Sequence, residues 1–109
     1  MPFDEPLAQR IRDIMGEECP VKEKRMFGGL VFMVNGHMCC GIVGADLVVR
    51  VGADKCPEAL SQPHARPMDF TGRPMRGFVY VGPPGYRSNV ELSTWIQQGL
   101  RFVLSLPPK

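Results

Sequence analysis

Between Gly29 and Val51 almost every position outside the turns is apolar: Leu30-Val31-Phe32-Met33-Val34, then Met38-Cys39-Cys40-Gly41-Ile42-Val43, then Leu47-Val48-Val49. A strand with one wet face alternates apolar and polar residues, so a run that is apolar on both parities predicts strands covered on both sides. Asn35-Gly36 separates the first two segments, and both residues tolerate positive φ, the strongest short signal for a two-residue hairpin. That turn fixes an expected register. Val34 should face His37, Phe32 should face Cys39 and Leu30 should face Gly41 on one side, with Met33 opposite Met38 and Val31 opposite Cys40 on the other. A second turn at Gly44-Ala45-Asp46, with Val43 opposite Leu47, extends the pattern. One side then collects Leu30, Phe32, Val34, Cys39, Val43, Leu47, Val49 and Val51, a face for helices to cover. The other collects Val31, Met33, Met38, Cys40, Ile42 and Val48, interrupted only by Arg50. A bulge would slip the register by one residue, and both faces stay apolar under either parity.

The flanking segments read as helices and an edge strand. Asp4 suits an N-cap, Glu5 and Pro6 suit a first turn, and Leu7, Ile11, Ile14 and Met15 form one helical stripe that Gly16 stops. Val21 to Phe27 is a strand whose Lys22, Glu23, Lys24 and Arg25 mark it as an edge, because dense charge resists pairing with foreign strands. Ala53 to Ser61 reads as a short helix with Asp54 as cap and Pro57 in its first turn. A polar connection follows, with one extended piece around Met68 to Thr71, and then a strand from Phe78 to Val81. Ser88 and Glu91 form a capping box that opens a last helix carrying Leu92, Trp95, Ile96, Phe102, Val103 and Leu106, closed by Pro107 and Pro108. The order α-β-β-β-β-α-β-α, with strands grouped rather than alternating with helices, predicts an α+β fold: a single two-layer domain over residues 1–109, an antiparallel sheet with helices mainly on one face.

Composition changes this picture little. The 109 residues are 44% hydrophobic and 22% charged, typical of a globular chain large enough for its own core. Thirteen basic and eleven acidic residues leave a net charge of +2, too small to predict nucleic-acid binding from charge alone. The N-terminus has no basic segment followed by an apolar stretch, and no apolar run is long enough to span a bilayer, so a cytoplasmic location is expected. There the four cysteines, Cys19, Cys39, Cys40 and Cys56, should remain thiols.

Arg25-Met26-Phe27-Gly28-Gly29, Phe32, Asn35-Gly36 with Met38, Arg50-Val51, Pro67-Met68 and Gly77-Phe78-Val79-Tyr80-Val81 together resemble the TfoX/Sxy N-terminal domain family, over nearly the full chain. The resemblance implies a compact α+β domain similar to the secretion-chaperone-like architecture, in proteins linked to regulation of natural competence. The chain departs from the full-length regulators of that family, which carry a second, helical domain, and a stand-alone version is the expectation.

Candidate chemistry is sparse. His37 and Cys39 lie two apart, and Cys56 or His64 would have to approach from elsewhere to complete a tetrahedral zinc site; no paired short spacing supports one, so no metal or cofactor is expected. Arg66, Arg73 and Arg76, with His64 and Asp69 nearby and Arg25 upstream, are the candidate anion-binding residues, for a phosphate, a carboxylate or nucleic acid. Solvated or carboxylate-paired arginines are the commoner outcome, and nucleic acid is not favoured. No nucleophile, base and orienting group share a spacing, so no enzyme activity is expected. Methionine suits adaptable contact surfaces, and Met33 and Met38 are expected opposite one another on the face away from the helices. The leading expectation is a non-enzymatic regulatory or protein-interaction domain, a homodimer or partner-binding protein through Val31, Met33, Met38, Cys40, Ile42 and Val48. The alternative is a small-anion or nucleic-acid module using the Arg66–Arg76 loop.

Overall fold

A computed structural model of the chain describes residues 4–16, 21–26, 28–70 and 73–107, without the side chains of 68–76. Helix α1 (Glu5–Met15) begins where the Asp4 side chain accepts the Leu7 N–H at 3.1 Å, with proline in the first turn. It buries Leu7, Ala8, Ile11 and Met15. Strands β1 (Lys22–Met26), β2 (Gly29–Val34), β3 (His37–Val43) and β4 (Asp46–Arg50) follow as an antiparallel meander. Asn35 and Gly36 both take positive φ, +53° and +83°, giving the expected two-residue hairpin.

After β4 the chain tightens into a 3-10 turn (Ala53–Lys55) before the short helix α2 (Cys56–Leu60). Asp54 sits inside that turn and caps nothing, contrary to expectation; the residue before α2 is Lys55, without a side-chain cap. Strands β5 (Ala65–Phe70) and β6 (Arg73–Val81) form a hairpin longer than the sequence pattern suggests. Pro67 and Pro74 obscured it, but proline is compatible with edge strands and bulges, β5 is an edge strand, and the register shifts between Pro67 and Asp69. The capping box forms as expected: the Ser88 hydroxyl accepts the Glu91 N–H at 3.0 Å, the Glu91 carboxylate accepts the Ser88 N–H at 3.3 Å, and α3 (Asn89–Leu104) follows.

The sheet has six strands in the order β1-β2-β3-β4-β6-β5. The fold is α+β, an open antiparallel sheet with helices, as the grouped strands predict. Its main core lies on the helix side, where Leu7, Ile11 and Met15 of α1 and Leu92, Ile96, Leu100 and Val103 of α3 meet Leu30, Phe32, Val34, Leu47, Val49, Val79 and Val81 of the sheet. Arg10 fastens α1 to the start of α3, donating to the Tyr86 carbonyl at 3.0 Å and to Asn89 Oδ1 at 3.1 Å. Arg12 and Glu23 pair at 2.7 and 2.8 Å and tie α1 to the charged edge strand; that hydrogen bond holds the Glu23 carboxyl below the usual carboxylate range.

The register differs from expectation at two places, the middle of β3 and the β3–β4 turn, where Val43 lies opposite Asp46 and Leu47 opposite Ile42 rather than Val43 opposite Leu47. Met33 does face Met38 and Val34 faces His37, but Phe32 lies opposite Cys40, Val31 opposite Gly41 and Leu30 opposite Ile42. Cys39 is the extra residue of a β-bulge. Beyond it, the residues of β3 change sides. Cys40 and Ile42 therefore lie in the helix-side core, fully buried, and not on the second face; the Cys40 thiol meets Met15 Sδ at 3.7 Å. Val43 makes the reverse move, facing Asp46 and packing on the second face.

Candidate functional site

The helices named above leave the second face of the sheet without a helical cover among the described residues. Opposed residues share a face, so the pairings define a row across all six strands: Lys24, Val31, Gly41, Val48, Tyr80 and Arg66. Its middle is apolar and both ends are basic. Val31 and Val48 are 1% and 0% exposed, because Met26, Met33, Met38, Val43, Phe78 and Tyr80 pack around them as a second, smaller cluster. A Cβ on Gly41 would stand 2.7 Å from the Leu30 carbonyl oxygen and 3.4 Å from Val31 Cγ2, so strand backbone and a valine already fill that space. What the face shows to solvent is the outer part of methionine, valine and aromatic side chains, since Met26, Met33, Val43, Phe78 and Tyr80 are only half-buried.

Charge rings this cluster. Lys22 and Lys24 stand exposed on the β1 edge, on the same side as Met33 and Val31 opposite them. Near the other edge Arg66 pairs with Asp46 at 2.6 Å, and its guanidinium lies 4.8 Å from the centre of the Tyr80 ring. Arg50 lies 5.5 Å from the ring centres of both Phe78 and Phe102. Such contacts fix the guanidinium planes against the rings. An adaptable apolar centre inside a polar rim is the anatomy of a protein contact surface.

The sequence model of the TfoX N-terminal domain matches residues 13–103 of the chain. The chain belongs to the TfoX N-terminal domain family. No curated protein and no solved structure matches it significantly.

In this TfoX N-terminal domain the candidate interface residues divide. Val31, Met33, Met38 and Val48 gather on the second face, while Cys40 and Ile42 do not. Met26, Val43, Phe78 and Tyr80 belong with the first four and escaped sequence reasoning. The alternation of Phe78 and Tyr80 with Val79 and Val81 was the available signal, since the valines had to face the helices. The candidate anion-binding residues are not brought together: Arg25 lies on β1 and Arg66 on β5, opposite edges of the sheet. Arg73 and Arg76 have side chains outside the described ones.

His37 is buried on the hairpin, its Nε2 2.7 Å from the Pro107 carbonyl oxygen, and its Nδ1 finds no partner among the described residues. Cys39 is buried beside α3, Cys56 is half-buried, and His64 is exposed with φ +69°. Among the described residues no three of His, Cys, Asp and Glu assemble into a metal-holding group. The hydrogen bond with Cys39, then burial, then the charge of Cys39 push the Cys40 thiol well above its ordinary range, where a thiol is a poor nucleophile. No helix among the described residues is long and apolar enough to cross a membrane.

Proposed function

We propose that this TfoX N-terminal domain is a non-enzymatic regulatory module that works by binding a protein chain through the helix-free face of its sheet, in the cytoplasm. Regulation of competence is the process its family points to. One observation carries the reading: the sheet face that no helix covers among the described residues holds a methionine-rich apolar cluster with basic residues on both edges. The molecule measures 31 × 29 × 28 Å, so one face offers on the order of 800 Å², the per-partner area of a standard interface. A second copy of the chain is the simplest occupant, because closed two-fold dimers are the commonest assembly.

The decisive comparison is sedimentation velocity of the wild-type chain and of the double variant Met33→Lys, Met38→Lys, over a range of micromolar concentrations. The expected result is a dimer for the wild type and a monomer for the variant, with circular dichroism showing the variant folded. A wild-type chain that stays monomeric throughout, or a variant that dimerises equally well, overturns the dimer. The small-anion and nucleic-acid alternative is less well supported, because Arg66 is engaged by Asp46 and Tyr80 and Arg25 stands on the far edge.

A further inference from the structure

On the helix side, away from the proposed contact face, α2 and α3 leave a groove between them with a volume of about 810 Å³. That is within the range of small-molecule sites. Its lining along α3 runs from Val90 to Ser105, fifteen helical steps or about 22 Å, so the depression is long and suits an extended ligand better than a compact one. Val51, Ala59, Trp95 and Phe102 supply apolar lining. The Trp95 indole N–H is already engaged by the Gly85 carbonyl at 3.2 Å and the residue is only 7% exposed, so what Trp95 offers the groove is an edge of its ring. Val90, 76% exposed, lines the same groove, an apolar side chain that nothing in the fold covers.

The charges around the groove are not equivalent. Lys55 is within 3.8 Å of the Glu58 carboxylate, and Glu91 is held by the capping box through the Ser88 N–H and hydroxyl. Arg101 lines the groove beside Phe102 and makes no hydrogen bond or ion pair among the described residues. The groove is thus part apolar and part polar, with Gln62, Thr94 and Gln98 in its lining; Glu91 keeps its negative charge but stands ten helical steps, about 15 Å, from Arg101, so the Arg101 end is the one that accepts an anion.

We infer that this groove binds a small amphipathic carboxylate with an extended acyl chain, the chain lying over Trp95 and Phe102 and the carboxylate held by Arg101. A guanidinium recognises a carboxylate through paired charge-assisted hydrogen bonds. The apolar floor gains from covering a chain of methylenes. Binding here is independent of the sheet-face proposal, and failure of either leaves the other standing.

Trp95 is the sole tryptophan, so its emission reports on the groove directly. The test is titration of the full chain with decanoate, and in parallel with decanol, below their aggregation concentrations. Decanoate should shift the Trp95 emission saturably and bind more tightly than decanol. Arg101→Gln, at an exposed position where folding is not at risk, should weaken decanoate by about tenfold, the equivalent of one charge-assisted hydrogen bond, and leave decanol unchanged. A linear, unsaturable response to decanoate overturns the site. So does a decanoate affinity equal to that of decanol, or one indifferent to Arg101→Gln.

Discussion

Replacing Ile42 by alanine tests the slipped register on which the composition of the helix-free face depends. Ile42 is 0% exposed, opposite Leu30 on β2 and Leu47 on β4, and belongs to the core beneath the helices. Truncation to alanine removes three carbons. At about 0.8 kcal/mol per buried methylene the transfer loss is about 2.4 kcal/mol, and the residual cavity brings the cost to about 3–4 kcal/mol. Met33→Ala is the control. Met33 lies half-buried on the open side, where no enclosed cavity results, and should cost about 1 kcal/mol. Urea denaturation followed by Trp95 emission, at protein concentrations too low for association, gives both values from the midpoints if the slopes are shared. Without the bulge Ile42 would face the helix-free side, where only neighbouring strand side chains cover it, and its truncation would leave a depression open to solvent rather than an enclosed cavity and cost correspondingly less. An Ile42→Ala cost below about 1.5 kcal/mol, or one no larger than that of Met33→Ala, therefore refutes the placement of β3.

Further outcomes follow from local geometry. Gly29→Ala places a Cβ 1.9 Å from the Ile42 carbonyl oxygen and 2.9 Å from its carbon, and neighbouring backbone cannot rotate away; a loss of about 3 kcal/mol or more is expected in thermal or urea unfolding, at the high end for overpacking. Gly28→Ala, with φ +73° but no atom within 4 Å of its Cβ, should lose only about 1–2 kcal/mol. Tyr86 donates its hydroxyl to the Ala45 carbonyl, and Tyr86→Phe should cost about 1 kcal/mol at neutral pH. Burial, then Asp4 and Asp46, push the Tyr86 phenol up, against a smaller opposing effect of Arg10. The folded state thus favours the neutral phenol; its contribution is complete below the unfolded value of about 10 and is lost as pH rises through the folded one. Melting temperatures from neutral pH upward should fall more steeply in the wild type than in Tyr86→Phe above about pH 10, and parallel curves would show that Tyr86 does not titrate in this way.

The elements that could be read from the sequence were those with a local cause. The Asp4 and Ser88 caps, the Asn35-Gly36 turn and the grouping of strands each announce themselves within a few residues, and each stands in the structure. The β5–β6 hairpin was only partly legible, because its prolines argue locally against a strand while edge position and bulging permit one. The groove between α2 and α3 had no sequence signal at all. It is lined by segments far apart in the chain, which no local pattern brings together.

The bulge at Cys39 is the instructive failure, because the pattern of apolar residues could not have revealed it. Slipping a strand that is apolar on both parities exchanges one apolar set for another, so nothing in the composition of β3 penalises the slip. The constraint comes from the helix packed across it. A Cβ on Gly99 of α3 would stand 3.0 Å from the Cys39 carbonyl oxygen and 3.3 Å from its Sγ. Glycine inside a helix costs about 1 kcal/mol relative to alanine, so its presence at Gly99 asks for a compensating close approach. The bulged β3 supplies one: Cys39 crowds Gly99 while Cys40 reaches Met15 on the same side. The sign that β3 places two consecutive residues under the helices was therefore written in α3, about sixty residues away, and not in the strand. The same slip removes Cys40 and Ile42 from the helix-free face and brings in Val43, so the surface offered to a partner is set by helix packing on the opposite side of the sheet.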